Sequence, residues 1–289
     1  MRLLDIVILA IVQGLAELLP VSSSAHVVVA EKLMGLDPSK PEMTLLLVML
    51  HTGTMFAVIV YFWKRWQEAY FASFEAFRKS AFQLLLASAV TALVGEVLIQ
   101  GIERIWFHNS PNAEVEQLFG HLELIAPALA LVGILILVTG IFERHASPAK
   151  ECDHCAIKAK HAGVIGAVQG FCLPFRGFSR SGATISTAIL IGLPKVHAED
   201  FSFALAAILT PAADARELLR LARAEHLNGG ANFASVVMPS LLGTFLAFLA
   251  GLVALKWLSR WLEEGLWYLF GIYCLFAAAG VAILHHFGY

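Results

Sequence analysis

Charge is what this chain has least of. Only 15% of its 289 residues are Asp, Glu, Lys or Arg, against about 25% in soluble domains. By contrast 58% are hydrophobic, and the mean hydropathy is +0.74. Those figures exclude an ordinary soluble domain and place the chain in a bilayer. The net charge is −2 and the basic residues form no stripe, so nucleic acid is not an expected partner. No cleavable leader is expected. The N-terminus has one basic residue, Arg2, and its apolar stretch contains Gln13 and Glu17 with no small-residue cleavage site after it. Cysteine is scarce as well. Cys152 and Cys155 sit in Glu-Cys-Asp-His-Cys, with His154 and His161 nearby. A lone Cys-x-x-Cys is a weak metal signal, and a solvated loop is expected there. Cys172 and Cys274 lie in apolar runs and read as small core hydrophobes.

Long apolar runs are what the chain does have. A crossing of about 30 Å of hydrocarbon takes about 20 residues, and runs of that kind cover roughly 42–63, 81–100, 122–142, 200–221, 232–255 and 266–284. The stretches 3–36 and 162–194 differ. Each holds two shorter apolar pieces joined at a Pro and a cluster of hydroxyls, so each enters and returns on one side. Broken backbone at membrane depth is tolerated only where protein or a water-filled cavity surrounds it, so the two hairpins are expected to face each other inside the protein.

The expected fold is therefore an all-α polytopic membrane protein in one domain, 1–289. It has six transmembrane helices and two re-entrant helical hairpins. Its halves, about 1–145 and 160–289, each hold one hairpin and three crossings, and a polar loop joins them. Three is odd, so the halves form an inverted-topology internal repeat. With loop 64–80 inside, the inside set holds Lys64, Arg65, Arg78, Lys79, Arg144, Lys150, Lys158, Lys160, Lys195, Lys256 and Arg260, eleven residues. The outside set holds Arg2, Lys32, Lys40, Arg104, Arg216, Arg220 and Arg223, seven residues. That is a modest positive-inside bias.

The two breaks resemble each other. Val12-Gln13-Gly14, Leu19-Pro20 and Ser22-Ser23-Ser24-Ala25-His26 are echoed by Val168-Gln169-Gly170, Leu173-Pro174 and Ser179-Arg180-Ser181-Gly182-Ala183-Thr184. Broken segments at corresponding positions of two repeats commonly form the functional site. Gln13 and Glu17 are four apart, on one helix face, and an ionisable residue at depth is a functional candidate. Arg180 falls at the start of a helix, where backbone N–H groups favour anions and a guanidinium grips phosphate oxygens in pairs. An acid, hydroxyls and an imidazole in one break, with a guanidinium in the other, suit a phosphate. Arg176 either joins the site or anchors the loop. His51 and Glu96 read as interhelical hydrogen-bonding groups, and Asp214 with Arg216 as a local ion pair as much as a site.

The run Gln13-Gly-Leu-Ala-Glu17-Leu-Leu-Pro-Val-Ser-Ser-Ser-Ala-His26, taken with Gly177-Phe-Ser-Arg180-Ser-Gly-Ala-Thr184, resembles the two signature motifs of the bacterial undecaprenyl-diphosphate phosphatases, the bacitracin-resistance family. Length and order of crossings match over the whole chain. This chain departs from the family pattern twice. Gln13 stands where the first motif usually has a glutamate, and Pro174-Phe175-Arg176-Gly177 replaces a Pro-Gly directly before the Ser-Arg-Ser region.

The resemblance implies a phosphatase of the bacterial inner membrane that removes the terminal phosphate of undecaprenyl diphosphate and returns the lipid carrier of the cell wall. The site is expected to open to the periplasm. Arg180 would hold the phosphates with N–H groups near residues 181–183. Ser23 is the leading nucleophile, and His26 takes its proton or itself attacks phosphorus. Glu17 orients that imidazole or holds a divalent cation, magnesium or calcium; no organic cofactor is expected. Gln13, Ser22, Ser24, Arg176, Ser179, Ser181, Gly182 and Thr184 complete the expected substrate contacts. Expected partners are the prenyl diphosphate lipid, membrane lipids and a second copy of the chain. The alternative is an inverted-repeat transporter or flippase of a prenyl-phosphate lipid or anionic solute, since folds host unrelated functions.

The layout predicts that single cysteines introduced near 72 and 150 are labelled from inside, and near 110 and 228 from outside. Labelling of 72 and 110 from one side overturns it.

Overall fold

The computed structural model describes residues 2–37, 41–106, 122–145, 157–228 and 233–287, and among them every regular element is an α-helix. The first five are α1 (Leu3–Leu18), α2 (Ser23–Leu33), α3 (Pro41–Tyr70), α4 (Phe74–Trp106) and α5 (Leu122–His145). The next five are α6 (Ala159–Cys172), α7 (Arg180–Leu190), α8 (Lys195–Asn228), α9 (Phe233–Glu263) and α10 (Trp267–His286). The order short, short, long, long, medium thus occurs twice. Among the described residues five helices are long and apolar enough to cross a membrane: α3, α4, α5, α9 and α10. Helix α8 contains the stretch expected to be a sixth crossing, but it carries Glu199, Asp200, Asp214 and Arg216 and is not among the five. Cys152, His154 and Cys155 lie outside the described residues.

Both breaks occur where the sequence puts them. Helix α1 ends because Leu19 precedes Pro20, and the residue before proline is pushed out of the helical region; Leu19 is extended, with φ −74° and ψ 150°. Its N–H still reaches Leu15 O at 3.2 Å. Ser22 then turns the chain with φ +67° before α2 begins at Ser23. In the second break Gly177 adopts φ +99°, and a Cβ there would lie 2.6 Å from Ile125 O.

The chain divides into two compact units. One comprises Met1–Leu19, Ser23–Trp63 and Ala206–Leu258. Its apolar centre is Ile6, Leu9, Ala10, Val27, Met43, Leu46, Leu50 and Ala247. Small residues bring its backbones together, as in membrane helix packing generally. A Cβ on Gly14 of α1 would lie 2.7 Å from Ala247 O of α9. Thr244 of α9 donates to Met49 O of α3 at 3.0 Å.

The other unit comprises Pro20–Ser22, Lys64–Leu205 and Ser259–Tyr289. Helix α6 lies on α4, where a Cβ on Gly170 would lie 2.7 Å from Thr91 O, and Thr91 Oγ1 donates to Gly166 O at 2.9 Å. Helices α5 and α10 meet along Gly133, Gly140 and Gly271; a Cβ on Gly140 would lie 2.6 Å from Tyr268 N. Cys172 and Cys274 are buried free thiols, as their apolar surroundings require.

At the end of α3 in this unit, Arg65 is clamped by two carboxylates. Its Nη1 lies 3.0 Å from Glu199 Oε2 and its Nη2 lies 2.9 Å from Asp200 Oδ1, while Ser259 donates to Glu199 Oε1 at 2.5 Å. Both acids are buried, so each depends on the guanidinium for its charge. Removing one partner of such a cluster costs about 3 kcal/mol or more because a buried charge is left uncompensated. Arg65→Leu should therefore lower the melting temperature of the detergent-solubilised protein much more than Glu199→Gln, which leaves Arg65 paired with Asp200. Equal shifts would show that the clamp does not support the fold.

Candidate active site

Glu17 is the centre of the site in the first unit. Its side chain is only 8% exposed, and a carboxylate held in so dry a place needs donors. Three groups converge on one oxygen. Gln13 Nε2, one turn earlier on α1, donates to Oε2 at 3.1 Å. Ser23 Oγ, the first residue of α2, donates to the same oxygen at 2.5 Å. His51 Nε2, from α3, lies 3.6 Å from it, an ion-pair distance and too long for a hydrogen bond. On its other side His51 Nδ1 lies 3.6 Å from Asp214 Oδ1 of α8. Four helices thus contribute to one line running Ser23, Glu17, His51, Asp214.

A serine hydroxyl donating to a carboxylate is a nucleophile–base pair. His26 is half-buried one turn after Ser23, and Ser24 is half-buried beside it. The imidazole expected to serve Ser23 and Glu17 is that of His26; the structure places a second imidazole, His51, 3.6 Å from Glu17 Oε2. Asp214, read as half of a local ion pair or as part of a site, meets His51. Glu96, expected to bond between helices, accepts from Gln100 of its own helix at 2.8 Å. His51 and Asp214 were legible only as ionisable residues inside apolar runs, which is itself a signal of function.

In the second unit Ser179 caps α7. Its Oγ accepts from Gly182 N at 3.2 Å, and its carbonyl accepts from Ala183 N at 2.9 Å. The N–H groups of residues 182 and 183, expected to bind phosphate, are therefore committed to the cap. Arg180 opens the helix half-buried, and Arg176 is half-buried in the preceding turn. Ser181, Gly182 and Thr184 are buried behind it. Thr184 shares a hydrogen bond with Ser202 of α8 at 2.5 Å, and Trp267 Nε1 of α10 donates to Ser186 at 3.0 Å. These bonds fix the helix that carries Arg180. The turn Pro20–Ser22 belongs to this unit too. A Cβ on Gly182 would lie 3.2 Å from that of Pro20, and Cys274 Sγ donates to Pro20 O at 3.4 Å. The hydroxyl-bearing turn of the first motif and the arginine-bearing helix of the second thus share one compact unit.

No group of three or more His, Cys, Asp or Glu side chains suited to a metal ion occurs among the described residues. Glu17 Oε2, the expected ligand, already receives Gln13 and Ser23.

Residues 6–280 match the family model described as bacitracin resistance protein BacA. The chain is 54% identical over 286 residues to undecaprenyl-diphosphatase 2 of Acinetobacter baylyi, covering 98% of each chain. It is 31% identical over 277 residues to undecaprenyl-diphosphatase of Parabacteroides distasonis, covering 94% of each, and 30% identical over 284 residues to that of Rhodopirellula baltica, covering 98% of each.

Ser22 holds a left-handed backbone that costs a residue with a Cβ about 1–2 kcal/mol. Ser22→Gly and Ser22→Ala both lose the hydroxyl, so their difference isolates the backbone. The glycine variant should be the more stable by about 1 kcal/mol in detergent melts. Equal stability would mean that the turn imposes no strain.

Proposed function

This chain belongs to the bacitracin resistance protein family, and on that premise we propose that it hydrolyses undecaprenyl diphosphate to undecaprenyl phosphate and inorganic phosphate. The observation that carries the chemistry is the short hydrogen bond from Ser23 to the buried carboxylate of Glu17. A carrier needs binding groups alone; a hydroxyl seated on a base is a device for attack. Recycling of the lipid carrier then accounts for the family's bacitracin resistance.

In the proposed sequence, Ser23 Oγ attacks the terminal phosphorus as its proton passes to Glu17 Oε2. The bond from that phosphorus to the bridging oxygen breaks, Glu17 passes the proton to that oxygen, and undecaprenyl phosphate leaves. Water then attacks the phosphoserine as the Glu17 carboxylate takes its proton, and Glu17 returns that proton to Ser23 Oγ as the phosphoserine bond breaks and phosphate is released. Phosphoryl transfer spreads charge over the equatorial oxygens, and Arg180 is assigned to neutralise it, with Arg176 as a second grip on the diphosphate. Gln13 holds the carboxylate by a hydrogen bond without competing for the proton. His26, Ser22, Ser24, Ser179, Ser181, Gly182 and Thr184 line the proposed phosphate path. The side chains around Glu17 do not make a metal cage, so no step passes through a cation; magnesium or calcium enters the proposal only as a counter-ion carried by the diphosphate.

The six crossings, the two re-entrant hairpins and the inverted repeat belong to the same proposal. Two reciprocal packings support it. The first helix of the first half packs on the fourth of the second half, at Gly14 and Ala247, and the first helix of the second half packs on the fourth of the first, at Gly170 and Thr91. A pseudo-two-fold axis requires that exchange. A periplasmic opening of the site and assembly as a homodimer complete the proposal.

The test is phosphate release from a prenyl diphosphate by purified protein, with and without chelator. Ser23→Ala and Arg180→Lys should each abolish turnover while remaining folded, the second because an ammonium lacks the planar paired donors. Glu17→Gln should cost far more than Gln13→Ala, because only Glu17 can take a proton. Near-normal release by Ser23→Ala would move attack to His26 or water.

A further inference from the structure

Three neighbours meet Glu17 at one of its oxygens. Gln13 and Ser23 both use Oε2, and His51 Nε2 stands 3.6 Å from that same atom. His51 is the one of the three that reaches further, since its Nδ1 faces Asp214 Oδ1 at 3.6 Å. An imidazole presents its two nitrogens on opposite edges, and what one edge meets sets how the other is aimed. The ring is itself on a rigid base. Thr54 Oγ1 bonds to His51 O at 2.8 Å, and Gly53 lies against the Thr244 backbone of α9. Three helices, α1, α3 and α8, therefore converge on a carboxylate–imidazole–carboxylate line whose end is the serine hydroxyl.

We propose that Asp214 is a positioning residue for the phosphatase reaction, acting through His51 to hold the Glu17 carboxylate toward Ser23. The proposal deepens the assignment of Glu17 as base and rests on it. His51 stands beside the base, and among the described residues the ion pair of Asp214 is with His51, so the role assigned to Asp214 runs through the ring. A purely structural pairing of α3 with α8 would change stability and leave the chemical step alone. A positioning role does the reverse, because a small displacement of a catalytic group is felt in kcat. Neither residue is assigned to the substrate, so KM should not move.

The experiment is a double-mutant cycle on purified protein, read as kcat and KM for phosphate release together with the detergent melting temperature. Asp214→Asn should lower kcat by about ten- to a hundredfold at unchanged KM. His51→Gln, which keeps a donor toward Glu17 but cannot bridge to Asp214, should lower kcat by a similar factor. In the His51→Gln background Asp214→Asn should cost nothing more, since pairs acting as one unit are not additive. Asp214→Glu, which keeps the carboxylate, should retain more turnover than Asp214→Asn; if Asp214→Asn does not fold, Asp214→Glu replaces it in the cycle. Normal kcat in Asp214→Asn, a loss confined to KM, or additive losses would each overturn the proposal. Glu17→Gln is the control for the underlying assignment. If it turns over normally, Glu17 is not the base; if it is inactive while both dyad variants are normal, only the positioning role fails.

Discussion

A helix that is interrupted leaves backbone groups without their helical partners, and everything distinctive here depends on how the two interruptions are satisfied. At the first, Leu19 N–H returns to Leu15 O and the chain turns through Ser22. At the second, Phe178 N–H bonds to Phe175 O at 3.1 Å, and Ser179 caps the next helix with both side chain and carbonyl. Once the ends are closed, each break carries hydroxyl-bearing or charged side chains on a fixed turn. The serines and the arginine are where they are because a continuous helix is not.

The breaks and the helices were the most legible part of the sequence. Proline fixes the end of α1 through its effect on Leu19, and serine before Arg180 announces the cap of α7, both of which are local effects. Hydropathy located α3, α4, α5, α9 and α10 because each is apolar over a bilayer's thickness. Helix α8 stands apart: its stretch 200–221 reads as a crossing, yet the helix carries acids and is not among those five. Its acids are held by Arg65 and His51, partners more than a hundred positions away, and a window that averages hydropathy cannot know that a charge has a partner.

The same reasoning explains what was missed at the site. Gln13, Glu17 and Ser23 lie within eleven residues, so helix geometry alone suggests their meeting. His51 and Asp214 join them only through packing of α3 and α8 on the first helices, and nothing local in their sequence contexts distinguishes them. His26 is legible as a candidate because it is near Ser23 in the chain, whereas His51 is not. Likewise the N–H groups of residues 182 and 183 looked available until the cap that makes the helix was seen to use them.

The seam between α5 and α10 is built from atoms that are not there. Gly133, Gly140 and Gly271 let one backbone touch the other, and a Cβ on Gly140 would meet Tyr268 N at 2.6 Å. Every missense change at a glycine codon adds at least a methyl group, so at these three positions heredity has no conservative option. The apolar lipid-facing residues can drift among Leu, Ile, Val and Phe with little effect. Genetic variation in this protein should therefore be widest on the surface that the membrane covers, and narrowest at positions that contribute no side chain at all.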